Sequence, residues 1–216
     1  GQSDVITGDA NANRLDGSSG NDNLSGGAGQ DTLYGGKGDD TLDGGAITDR
    51  INYTDLNVVD YSSAFGAVNV NLQTGIATTS VSVGTDQLAN LNFVVGSYYN
   101  DILTGSNTAN LFEQFEGGLG DDTIDGGAID PVTQQNSNRV NYSNASGAVT
   151  VNLAAGTATG AAGNDTLINI NHVRGSHFGS DVLTGSNSNL TEQFEGRGGD
   201  DTIDGAGGVD MVRYDA

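Results

Sequence analysis

The sequence contains no cysteine and no tryptophan, and one proline, Pro131, in 216 residues. Without thiols there is neither a disulfide framework nor a thiolate metal site. A single proline excludes collagen-like and polyproline architectures. Apolar runs are short: Phe93-Val94-Val95 falls far below the roughly 20 residues that cross a bilayer as a helix, so no membrane span is expected. Positive charge is scarce, with 7 Lys and Arg against 28 Asp and Glu, a net charge of −21. Such a surface repels phosphate, which excludes a nucleic-acid partner. Leu, Ile, Val and Phe make up only 48 of the 216 residues, near the level below which strongly charged chains stay disordered. No secretory leader is visible, and the chain starts at Gly1 and stops within a repeating pattern at Tyr214-Asp215-Ala216. The expectation is a segment of a larger protein, with any catalytic module outside it.

What is abundant is glycine, 35 residues, and aspartate, 24 residues against only four glutamates. Aspartate is a poor helix former and a good turn residue, so the charge is expected in turns beside glycine. The first 52 residues align by nines. Gly8, Gly17, Gly26, Gly35 and Gly44 open the units. Asp4, Asn13, Asp22, Asp31, Asp40 and Asp49 hold the sixth place, and Ile6, Leu15, Leu24, Leu33, Leu42 and Ile51 the eighth. The glycine half permits positive φ and lets carbonyl oxygens converge. The last three residues, as in Thr41-Leu42-Asp43, alternate polar, apolar, polar and predict a minimal strand with one inward residue. Two units then make a coil of about 18 residues, stacked at roughly 4.8 Å. Asp4, Asp22 and Asp40 fall on one edge, Asn13, Asp31 and Asp49 on the other. Carboxylates stacked at that spacing repel and call for cations. Ca²⁺ suits them, since it accepts six to eight oxygens from carboxylates and carbonyls. Zn²⁺ would want His or Cys, and His172 and His177 are the only candidates.

Units such as GGAGQDTLY (Gly26–Tyr34) and GGKGDDTLD (Gly35–Asp43) resemble the RTX (repeats-in-toxin) nonapeptide, GGxGxDxUx. The resemblance implies an all-β parallel β-roll, or β-solenoid, with several Ca²⁺ ions bound by sixth-place aspartates and loop carbonyls of successive coils. Carried onto this sequence, the carboxylates are Asp4, Asp22, Asp31, Asp40, Asp49, Asp101, Asp122, Asp165, Asp181, Asp201 and Asp210. The loop residues are Gly17, Gly26, Ala28, Gly35, Lys37, Gly44, Gly117, Leu119, Gly196, Gly198 and Gly205. The pattern departs at Asn13, at Ser18-Ser19 and at Ile47.

The units return as Gly96–Thr104, Gly117–Asp125, Gly160–Ile168, Gly196–Asp204 and Gly205–Val212. The stretches between them are duplicated too. Gly66-Ala67-Val68-Asn69-Val70-Asn71-Leu72 matches Gly147 through Leu153, and Glu113-Gln114-Phe115-Glu116-Gly117 matches Glu192 through Gly196. Three segments follow: 1–53, a first repeat block; 54–130, wider β-coils and a second block; 131–216, a second copy of both, stacked as one continuous solenoid. Val68-x-Val70-x-Leu72 and Val149-x-Val151-x-Leu153 alternate as half-buried strands, read as hairpin-like excursions that widen the solenoid.

Other chemistry is weakly supported. The pairs Glu113/Glu116 and Glu192/Glu195 could suggest glycosidic acid–base work, but they are duplicated and directly precede calcium-type loops. Neither H-E-x-x-H nor G-x-S-x-G occurs, so no enzyme is expected in this segment. Tyr98, Tyr99, Phe178 and Phe93 could form a sugar-stacking platform, or simply pack. The expected function is a calcium-binding structural module of a secreted, extracellular bacterial protein, folding on calcium outside the cell as a stiff spacer or presenting element. The resemblance implies type I export. The alternative is a carbohydrate-contacting accessory module, with an extracellular glycan or cell surface as partner.

Overall fold

The structure, a computed structural model, describes residues 1–48, 55–79, 81, 84–108, 111–128 and 137–214. Among these are 22 strands and no helix. The strands form two sheets, one of 13 and one of 9 strands, here the long and the short sheet. Each nonapeptide contributes one three-residue strand, and successive units alternate between sheets. Val5 pairs with Asn23 and Asn23 with Thr41 in the long sheet, and Arg14 with Thr32 in the short one, all parallel. The 18-residue coil is therefore present as expected, and the fold is an all-β parallel roll.

One inward residue per strand leaves a narrow core. Leu24, Leu33, Leu42, Leu103, Ile124 and Leu183 are fully buried, and Leu15 and Leu167 nearly so. Val59, Val94, Phe115, Val140, Val173 and Phe194 line the short sheet's inner side. Ile6 and Ile203 are only partly buried. Val212 is aligned with Phe194 but 39% exposed, because its strand is paired on one side only.

Two details differ from the sequence reading. The rung beneath Leu33 is Val59, not Ile51, which lies outside the described residues together with Asp49. Register is set by which aliphatic residue can reach the interior. The excursions also behave differently from a simple widening. Strands Val68–Asn71, Ile76–Thr79 and Thr85–Ala89 form an antiparallel meander inside the long sheet, between Thr41–Asp43 and Ile102–Thr104. Val149–Asn152, Thr157–Gly160 and Gly163–Ile168 repeat it. Each meander adds two strands to the stack, which accounts for the excess of the long sheet over the short one. Val68, Val70, Val149 and Val151 are buried, and Leu72 and Leu153 partly so. Both sheets run through all three segments of the chain.

Candidate metal centre

The sixth-place residue sits at the end of each turn, just before or at the first residue of the strand. Its side chain folds back along the stack, and its Oδ1 accepts the N–H of the sixth-place residue one coil earlier. Asp22 accepts from Asp4 at 2.7 Å, Asp40 from Asp22 at 2.8 Å, Asp31 from Asn13 at 2.8 Å and Asp122 from Asp101 at 2.8 Å. These turns thus spend one carboxylate oxygen on satisfying a buried donor. The other oxygen is the informative one. Asp22, Asp31, Asp40 and Asp122 are almost fully buried, and the Oδ2 of each has no hydrogen-bond partner. An anionic oxygen left bare in the interior is costly unless a cation sits against it.

The glycines opening the same turns complete the cradle. A Cβ on Gly17 would lie 2.5 Å from Asp22 Oδ2 and 2.8 Å from the carbonyl oxygen of Gly35, one coil on. On Gly26 and Gly35 it would lie 2.4 Å from Asp31 and Asp40 Oδ2, and on Gly117 2.0 Å from Asp122 Oδ2. Only a residue without a side chain lets carboxylate and carbonyl oxygens crowd together. Among the described residues no three His, Cys, Asp or Glu side chains converge on one point. An ion here would draw its ligands from one or two carboxylates and from backbone carbonyls, the all-oxygen set that fits Ca²⁺.

The two edges of the roll differ. Turns entering the long sheet carry Asp4, Asp22, Asp40, Asp101, Asp122, Asp181 and Asp201 at the aligned place; Asp86 and Asp165 hold it inside the meander strands Thr85–Ala89 and Gly163–Ile168, and Val68 and Val149 hold it at the start of the meander strands Val68–Asn71 and Val149–Asn152. Turns entering the short sheet carry Asn13, Asp31, Asn57, Asn92, Glu113, Asn138, Asn171, Glu192 and Asp210. Asn57 occupies the ladder position expected of Asp49, its Oδ1 accepting from Asp31 N–H at 3.1 Å. Asn57 N–H passes on to Asn92 Oδ1 at 2.8 Å, and Asn138 N–H to Asn171 Oδ1 at 3.1 Å. The asparagine amides then donate to carbonyls: Asn57 to Asn90 at 3.2 Å, Asn92 to Asp55 at 3.1 Å, Asn171 to Thr191 at 2.9 Å. An amide supplies its own donor where a carboxylate would need a cation.

Several expected ligands are engaged in other ways. Asp165 does not stand in a nonapeptide turn. It lies within strand Gly163–Ile168, opposite Ala158, because the meander claims that segment. Its Oδ2 accepts the Tyr142 hydroxyl at 2.7 Å, just as Asp86 accepts that of Tyr61 at 2.8 Å. Asp101 accepts from Val68 N–H at 2.8 Å and from Ser97 N–H and Oγ at 2.5 and 2.7 Å. Asp181 does the same with Val149 and Ser176. With Oδ1 of Asp86 and Asp165 accepting from Asp40 and Asp122 N–H, both oxygens of these four carboxylates have protein donors.

Asp4 is exposed, Asp201 and Asp210 are half-buried, and Asp210 Oδ1 has no partner. Cβ atoms on Gly196 and Gly205 would meet Asp201 and Asp210 Oδ2 at 2.1 and 2.5 Å. At the third place, Ala28, Lys37 and Gly198 donate their N–H groups to the carbonyls of Asp9, Ser18 and Ser176. The Lys37 carbonyl already accepts from Gly20 N–H at 2.8 Å. Leu119 is exposed on the roll's flank. A Cβ on Gly44 meets Asn57 and the Asn90 carbonyl rather than a carboxylate.

Burial raises the pKa of Asp122 to about 8, with neighbouring Asp165, Asp101 and Asp121 adding to the shift and a backbone hydrogen bond opposing it. Glu113, missing from the sequence-based ligand set, rises to about 7 by burial against hydrogen bonds from Ser106. Gly105 completes its cradle, with a Cβ there 2.6 Å from Glu113 Oε2 and from the Gly126 carbonyl. The duplicated E-Q-F-E-G before each returning block was the available signal. Glu113 and Glu116, three apart on one strand, face different sides. Glu195 is raised by burial but lowered overall by Arg174, Arg139 and Arg197. His172 is buried and pushed down to about 4 by desolvation and Arg139, while His177 is exposed.

A sequence profile of the RTX calcium-binding nonapeptide repeat matches the chain four times, at residues 1–24, 16–51, 110–128 and 191–216. No curated protein sequence matches it. The matched stretches contain Asp22, Asp31, Asp40, Asp122 and Asp210, each with a bare oxygen, and leave out Asn57, Asn92, Asn138, Asn171, Tyr61 and Tyr142. Bare carboxylates and glycine cradles thus stand on a parallel β-roll that carries four copies of the RTX calcium-binding nonapeptide repeat.

Proposed function

We propose that the module folds when it meets calcium outside the cell and then serves as a stiff spacer or presenting element of a larger secreted bacterial protein, with no catalysis of its own. The observation that carries this reading is the set of buried, partnerless oxygens on Asp22, Asp31, Asp40 and Asp122. Neighbouring carboxylates at strand spacing repel by about 3 kcal/mol at an effective dielectric of 20, which opposes folding without cations. Each ion present at about 100 times its Kd adds roughly 2.7 kcal/mol. Four such ions would add on the order of 10 kcal/mol, as much as a domain's whole stability. We assign the first-choice sites to those four carboxylates and their opening glycines, with Glu113, Asp201 and Asp210 next. Export would thus precede folding, since cytosolic calcium leaves the sites empty.

Circular dichroism in EGTA and then in millimolar calcium tests the reading. A β spectrum that appears only with calcium supports it. A spectrum indifferent to EGTA would remove its basis.

A further inference from the structure

The outer face of the short sheet holds a groove of about 500 Å³. It crosses strands Thr32–Tyr34, Val58–Asp60, Phe93–Val95, Glu113–Glu116 and Asn138–Asn141, consecutive in that sheet, a length of about 19 Å at strand spacing. Tyr98 and Leu119 stand on its rim, 64% and 46% exposed. A second hollow of about 200 Å³ adjoins it through Tyr34 and Asp60 and is walled by Phe65, itself 69% exposed.

The duplication shows that the roll does not need these large apolar side chains. In the second copy the places of Phe65, Phe93, Tyr98 and Leu119 are taken by Ser146, His172, His177 and Gly198. The same strands pair in the same way there. Phe65 and Tyr98, exposed rings that the fold replaces with serine and histidine, are free to answer to a ligand.

The lining selects the ligand class. No lysine or arginine borders the larger groove, so an anion has no partner. Its acidic groups are already held as fixed acceptors. Glu116 takes the amides of Asn144 and Asn141 at 2.7 and 2.9 Å, and Asp60 takes Ser62 N–H at 2.8 Å. Rings beside pinned carboxylates and carboxamides match a pyranose, whose face is apolar and whose rim is a belt of hydroxyls. We propose that this groove binds a neutral glycan chain laid across the strands, with Tyr98 as its stacking platform.

The groove borders the Asp101 and Asp122 turns through Tyr98 and Leu119 and needs the roll folded, so the test is run in about 2 mM calcium, at or above the dissociation constants of extracellular calcium modules. Cellohexaose, xylohexaose, laminarihexaose and mannohexaose are titrated by calorimetry, with hexalysine as a cationic probe. At least one hexasaccharide should bind. Tyr98→Ala and Tyr98→His should each weaken it about tenfold, while His177→Ala in the second copy leaves it unchanged. Binding of none of the four, binding of hexalysine in their stead, or binding indifferent to both Tyr98 variants would overturn the proposal. Circular dichroism of each variant in calcium separates a failed groove from a failed calcium-dependent fold.

Discussion

Two kinds of turn in the roll solve one problem in two ways. Each turn must satisfy the buried N–H of the coil before it, and a sixth-place Asp or Asn does so equally well through Oδ1. The difference lies in the second atom. Asp22 and Asp40, on the edge entering the long sheet, present a bare oxygen to the interior. Asn57, Asn92 and Asn171, on the other edge, present an amide that bonds a neighbouring carbonyl. The first solution requires an ion and the second is complete as translated. Tyr61 and Tyr142 provide a third, lending a hydroxyl to Asp86 and Asp165. A roll that mixes these devices should have coils whose order depends on calcium beside coils that hold without it.

The largest effect should come from calcium removal, resolved along the chain. Hydrogen exchange in EGTA should rise most in strands 23–25 and 41–43, which flank the bare carboxylates. It should rise least around 138–141 and 172–174, where asparagine closes the turns. Uniform loss of protection would mean that the two kinds of turn are not energetically distinct.

Leu33→Ala should cost about 2–5 kcal/mol, since Leu33 is fully buried, and should raise the calcium midpoint of folding. Thr32→Ala, on the outer side of the same strand, should barely move it. An equal shift would place the calcium dependence outside the shared core.

Asp40→Ala should abolish one site, a loss of about 2.7 kcal/mol at saturating calcium, whereas Asp43→Ala, one strand further and partly exposed, should not. Asn57→Asp is the reciprocal change. It should add one ion to the stoichiometry read by calorimetry, and an unchanged count would show that asparagine is not what keeps that turn ion-free.

Tyr142→Phe leaves Asp165 without its hydroxyl donor, a loss of about 1–3 kcal/mol for a buried acceptor. If calcium takes over the vacated place, the loss should shrink as calcium rises.

The smallest effect concerns pH. Burial raises Asp122 to about 8, Glu113 to about 7 and Asp86 to about 6. The ion-free fold therefore binds protons that the unfolded chain releases near pH 4. Its stability from these groups is complete below about pH 4 and lost as pH rises through about 6 to 8. Acidification from about pH 8 to about pH 5 should restore part of the β signal in EGTA, while weakening calcium binding, since protons compete for the same oxygens. A β signal in EGTA that falls on acidification would contradict the sign.

The repeat unit, the parallel coil and the aspartate edge were legible in the sequence. A nine-residue pattern with one inward aliphatic and one turn glycine admits few other arrangements, so Leu24, Leu33 and Asp40 could be placed by counting. Asn57 and Val59 could not. Residues 44–57 break the count, and only strand pairing shows which residue returns to the ladder. Asp165 fitted the pattern by sequence, yet the meander turns its segment into a strand and Tyr142, 23 residues away, supplies its donor. Local spacing determines what a turn is able to bind. Which turns keep an oxygen free for calcium is decided by side chains arriving from other coils, and that is a property of the packed roll alone.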